Sequence, residues 1–292
     1  MHLKGASNPS SNGNNNVFWI ISVLSWLILL VTSWLSIGLP YSNQYKIFWL
    51  TNSLISFEDE ESEYNPISLH IVFHYIVFIF SMVLTTIGFL IYITYRDDNN
   101  IIDGMLGNIS KFHFIPLLCI SALFIIGESK EEPNVAMYIF DFIFSIIGLT
   151  SLILVKIKTK IESPWYAIFT IKKGVYSCFI ALLTYNICYN FTYYGIYEIN
   201  ESDDLMNNWK IGCGITFPII IGIVNLALSV IFQDIMIAFM NLLIFVGMII
   251  NFYITDEEIR AAGEGIVDII FLSLSGCTIL FLSLLYKAKL YT

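Results

Sequence analysis

Polar side chains are sparse in the apolar stretches of this chain, so each one can be weighed for chemistry. Asp141 lies roughly two turns inside the run VAMYIFDFIFSIIGLT. A carboxylate at a transmembrane helix centre costs about 2.5–3.5 kcal/mol on insertion scales, so its place points to a bundle interior or a water-filled cavity. Asp268 lies nearer the start of its run, where a solvated carboxylate favoured by the helix dipole explains it as well as a site does.

His70 and His74 are four apart at the outer start of an apolar run, which puts them on one helix face. Such a pair can hold half of a metal site, but a catalytic zinc needs a third ligand, and H-E-x-x-H is absent. Interfacial histidines bonded to water or carboxylates are the simpler account of the pair. No metal is assigned. His113 falls at the opposite, inner end of its run and cannot join them.

Asn186 and Asn190 form another i, i+4 pair, accompanied by Tyr185, Tyr189, Tyr193 and Tyr194. With Asn225, Asn241 and Asn251 they suit a polar pathway, or hydrogen bonds that join helices at about 0.6 kcal/mol each.

Catalytic signatures are missing. The sequence has no G-x-S-x-G elbow, no Walker A lysine loop and no G-x-G-x-x-G turn, and Gly263-Glu-Gly265 is a lone fragment. Nothing in it demands a cofactor or marks an enzyme. The five cysteines, Cys119, Cys178, Cys188, Cys213 and Cys277, all lie in or at the ends of apolar runs without C-x-x-C spacing. They read as buried small hydrophobes rather than a disulfide framework or a thiolate metal site. No basic, aromatic-interleaved surface suggests nucleic-acid binding.

The elements that must position these residues follow from composition. The chain has 292 residues, 57% hydrophobic and only 13% charged, with a mean hydropathy of +0.75. A soluble domain carries roughly a quarter charged residues, so a water-soluble globular enzyme is excluded. The expected fold is all-α, a polytopic helical membrane protein. After a polar tail over residues 1–16, apolar runs lie at 17–37, 68–95, 112–127, 134–155, 174–197, 211–232, 235–255 and 265–286. The longest loop, 40–67, is too short to fold as a domain.

The weakest run, FHFIPLLCISALFIIG, is short and contains Pro116. Charge argues that it crosses. With eight transmembrane helices and both the N- and C-termini cytosolic, ten of the fourteen Lys and Arg residues fall inside, and Lys46, Lys130, Lys210 and Arg260 fall outside. Without that crossing, Lys156, Lys158 and Lys160 would move outside and the asymmetry would collapse. Acidic residues fall the other way, in outer clusters such as 58–63 and 256–264. These carry the net charge of −9 and would either attract cations to an opening or simply solvate the outer loops.

Residues 156–173 read as a short interfacial segment, with Ser163-Pro164 as a helix start and Trp165 and Tyr166 beside lysines, held by anionic lipid. On either side, 17–155 and 174–286 share a plan of four spans, suggesting a parallel pseudo-repeat with Asp141-Phe-Ile-Phe echoed by Asp268-Ile-Ile-Phe. Two spans rich in Phe and Ile also share letters by chance. Asn200-Glu-Ser is a glycosylation acceptor in an outer loop, whereas Asn108-Ile-Ser is inside.

Two functions fit an integral protein of the plasma membrane or an endomembrane. One is a transporter or channel-like protein for a cation, proton or small polar solute, using Asp141, His70, His74, Asn186, Asn190 and Asp268 in the outer half of the bundle. The other is a non-enzymatic adaptor, assembly or lipid-organising protein whose polar residues only join helices. Membrane lipids are the expected partners of either.

Overall fold

The computed structural model describes residues 11–38, 45–47, 67, 69, 71–94, 113–125, 127–129, 135–158, 174–198, 203–232, 234–254 and 276. Among them run seven helices: α1 (Ser11–Gly38), α2 (Ile71–Thr94), α3 (Phe114–Ile125), α4 (Val135–Lys158), α5 (Tyr176–Glu198), α6 (Asp203–Phe232) and α7 (Ile235–Ile254). Each takes up one of the first seven apolar runs. Residues 1–10, His70, the segment 159–173, Asn200 and, apart from residue 276, the run 265–286 with Asp268 lie outside the described residues.

Two helix starts precede their apolar runs. α1 begins at Ser11, so residues 11–16, expected in the tail, are helical, and α6 begins at Asp203 although its apolar run starts at 211. Once an apolar stretch has nucleated a helix, adding a polar residue at its end costs little. The all-α expectation holds apart from one small ribbon, β1 (Tyr45–Ile47) paired antiparallel with β2 (Gly127–Ser129) in the register Tyr45 to Ser129, Lys46 to Glu128 and Ile47 to Gly127.

Four helices are long and apolar enough to cross a membrane, over Val17–Leu35, Tyr75–Thr94, Ile139–Ile157 and Asn208–Phe232, and shorter apolar stretches cover Phe114–Leu123 and Ile235–Asn251. This is the pattern of an integral membrane protein. The long apolar helices expose residues such as Leu24, Val31, Leu90, Leu154 and Ile231, a surface suited to lipid.

The more polar α5 is enclosed. It packs against α4, α6 and α7, and residues 174–186 are buried without interruption. Its Ser, Thr, Asn and Tyr side chains would be costly against hydrocarbon, so the apolar helices surround it.

Neighbouring helices run back and forth. Along α4 and α5, Asp141 meets Asn190, Ser145 meets Asn186, Gly148 faces Leu183 and Lys156 meets Ser177, the register of an antiparallel pair. α6 and α7 likewise pair Asn225 with Asn241 and Ser229 with Asp234. Gly148 permits the close approach: a Cβ there would stand 3.3 Å from Leu183 Cδ1 and 3.4 Å from Cys119 Cβ on α3.

Most hydroxyls are satisfied within their own helix. Ser25, Ser81, Thr85, Ser121 and Thr184 donate to the carbonyl four residues back at 2.7–2.9 Å. Ser145, Ser177 and Ser229 instead bond other buried polar groups, and they mark where the interior chemistry lies.

Candidate functional site

The α4–α5 contact near the start of α4 holds a buried carboxylate and two amides. Asp141 and Ser145 are one turn apart on α4, Asn186 and Asn190 one turn apart on α5, so the pairs face each other across the antiparallel seam. Asp141 is fully buried, with 0% exposure. Its Oδ2 accepts from Asn186 Nδ2 at 3.0 Å and from Asn190 Nδ2, and Asn186 Nδ2 also donates to Ser145 Oγ at 2.9 Å. An ionised carboxylate only accepts, so both amides must turn their nitrogens to it. Asp141 Oδ1 and Asn190 Oδ1 have no hydrogen-bond partner among the described residues.

Two amides disperse the charge of an ionised Asp141 but do not cancel it. A buried carboxylate ordinarily meets an opposite charge or a metal, or takes up a proton and becomes neutral. Among the described residues no cationic side chain pairs with Asp141, and no three His, Cys, Asp or Glu residues are grouped to hold a metal ion.

A second cluster sits at the other end of α4, fifteen residues on and so about 22 Å away at the helical rise. Lys156 forms an ion pair with Asp234 Oδ2 and donates to Ser177 Oγ at 2.6 Å, while Ser177 Oγ donates to Asp234 Oδ2 at 2.5 Å. The Lys156 ammonium also lies 5.2 Å from the centre of the Phe232 ring. Asp234 Oδ1 accepts from Met236 N at 3.0 Å, capping α7. Lys156, read from the sequence as the start of the interfacial segment, is here part of α4. α4 continues to Lys158, and both ion-pair side chains are only 1% exposed. Each charge offsets the other's desolvation, so both can leave water together.

Smaller polar contacts join other helices. Asn225 Nδ2 donates to Asn241 Oδ1 at 3.0 Å between α6 and α7. Buried His113, beside the start of α3, has its Nδ1 3.4 Å from Ser22 Oγ and its ring edge-on to Tyr92 at 5.4 Å. Cys119, Cys178, Cys188 and Cys213 are free and buried, in keeping with a packing role.

Of the residues singled out in the sequence, the structure brings Asp141, Asn186 and Asn190 together. His70 and Asp268 lie outside the described residues, and His74 lies on α2. Sequence reasoning missed Ser145, Lys156, Ser177 and Asp234 as interior groups. A signal was available for Asp234: in VIFQDIMIAF it is the one charge between two apolar runs, directly before the second, the position of a helix cap.

No protein-family model matches the chain, and neither a curated protein nor a solved structure does.

Proposed function

We propose that this protein crosses the membrane eight times with both termini in the cytosol, and that it is a transporter or channel-like protein for a cation, proton or small polar solute, with its polar site between the outer halves of α4 and α5. The observation that carries this reading is the fully buried Asp141, held by Asn186 and Asn190 on a facing helix, with one carboxylate oxygen left without a partner among the described residues. Ionisable groups at such depth are rare, face the bundle interior or a cavity, and commonly mark substrate or ion paths.

The β1–β2 ribbon supports the threading. β1 follows α1 and β2 follows α3, so their pairing puts both loops at one face. This agrees with α2 leaving this face and the short α3 returning to it. At the opposite face, the end of α4, the start of α5 and the turn before α7 meet through Lys156, Ser177 and Asp234.

The test is flux in proteoliposomes, read as sodium uptake, proton movement with an internal dye, and glycerol-driven swelling. Wild-type protein should pass at least one above empty vesicles, and Asp141→Asn should lose it while remaining folded. No flux in the wild type, or an unchanged flux in the variant, would remove the transport reading in favour of a protein whose polar residues only join helices.

A further inference from the structure

We infer that Asp141, Asn190 and Ser145 form a binding site for one small monovalent metal cation, an inference that rests on the polar site proposed above and narrows what it takes.

Charge comes first. The Lys156–Asp234 cluster balances its own charges, and the Asn225–Asn241 pair is neutral. Ionised, Asp141 would bring one negative charge into the interior with no cationic partner among the described residues. A single charge is cancelled by a single positive one. A divalent ion would leave the interior charged and is ordinarily held by several carboxylates and waters.

Donor type comes second. The atoms left over are Asp141 Oδ1 on α4 and Asn190 Oδ1 on α5, both oxygens and both acceptors. Ser145 Oγ, one turn from Asp141, accepts from Asn186 and keeps a second lone pair. A carboxylate, an amide carbonyl and a hydroxyl are hard ligands, suited to alkali and alkaline-earth ions rather than to the softer metals that prefer imidazole and thiolate. A metal ion bridging α4 and α5 would satisfy both orphaned acceptors. A proton on Asp141 Oδ1 donated to Asn190 Oδ1 would do so as well, and the response to pH in the experiment below tells the two apart.

Position comes third. Asp141–Asn190 and Ser145–Asn186 bridge the same two helices, so a cation here would tie α4 to α5 and stabilise the folded protein by mass action.

The experiment is thermal unfolding of the purified full-length protein in detergent, in sodium chloride against choline chloride at equal ionic strength and fixed pH. Sodium should raise Tm along a saturating curve. Asp141→Asn should abolish that rise. Asn190→Ala and Ser145→Ala, each leaving the carboxylate, should weaken the apparent sodium affinity by about tenfold or more, the loss typical when a metal site is disturbed. Equal Tm in sodium and choline, a sodium rise that survives in Asp141→Asn, a larger rise with calcium, or a response to pH alone would each overturn the inference. These outcomes are separable from the flux test: flux without sodium stabilisation removes the cation site alone, and sodium stabilisation without flux removes transport alone.

Discussion

Lys156 and Asp234, 78 positions apart in the chain, form a buried ion pair that ties the last turn of α4 to the residue capping α7. Ser177 closes the triangle from the first turn of α5, so three helices are fastened at one point.

Removing one partner would leave an unpaired interior charge. Lys156→Met or Asp234→Asn alone should each cost roughly 3–5 kcal/mol, while the double substitution should cost clearly less than the two together. Asparagine also caps helices, so Asp234→Asn isolates the charge, and Asp234→Ala should lose about 1 kcal/mol more. Denaturant unfolding in detergent measures the cycle; additive losses would mean that the two charges do not interact.

Asn190→Ala takes one of two amide donors from a buried carboxylate. Hydrogen bonds to charged groups contribute about 1.5–3 kcal/mol, whereas ordinary bonds between membrane helices average about 0.6 kcal/mol. The expected loss is therefore near 2 kcal/mol. A measured loss close to the lower figure would show that Asp141 is no more demanding than any other interhelical contact.

Gly195 on α5 lies under the Trp209 ring of α6, whose Nε1 donates to Thr192 O at 3.2 Å. A Cβ at that position would fall 2.2 Å from Trp209 Cε2. Gly195→Ala should force the indole out, breaking its hydrogen bond and its packing on Phe191, at roughly 1–3 kcal/mol. Lowered Tm with a red-shifted tryptophan emission is the expected signature; an unshifted spectrum at unchanged Tm would mean that the helices separate freely there.

The ribbon register sets Lys46 opposite Glu128. Cysteines placed at both positions should crosslink under an oxidant. Glycosylation should be lost in Asn200→Gln and unaffected in Asn108→Gln. Failure to crosslink would undo the ribbon, and sugar at Asn108 would invert the threading.

What was legible beforehand is the set of local properties. Runs of apolar residues long enough to cover a bilayer predict helices, and the seven described helices fall on them, because in hydrocarbon the backbone must bond within its own segment whatever its neighbours do. The isolation of Asp141 and the one-turn spacing of Asn186 and Asn190 could be read in the same way, since each concerns a single helix.

Only the tertiary structure decided which faces meet. That Asn190 turns to Asp141 depends on the α4–α5 register, with Gly148 allowing the approach. That Lys156 and Asp234 abandon water depends on finding one another and Ser177 across three helices. A lysine at the end of an apolar run has the same sequence signature whether it reaches for headgroups or for a buried carboxylate, because the desolvation energy that separates the two outcomes is set by what packs around it.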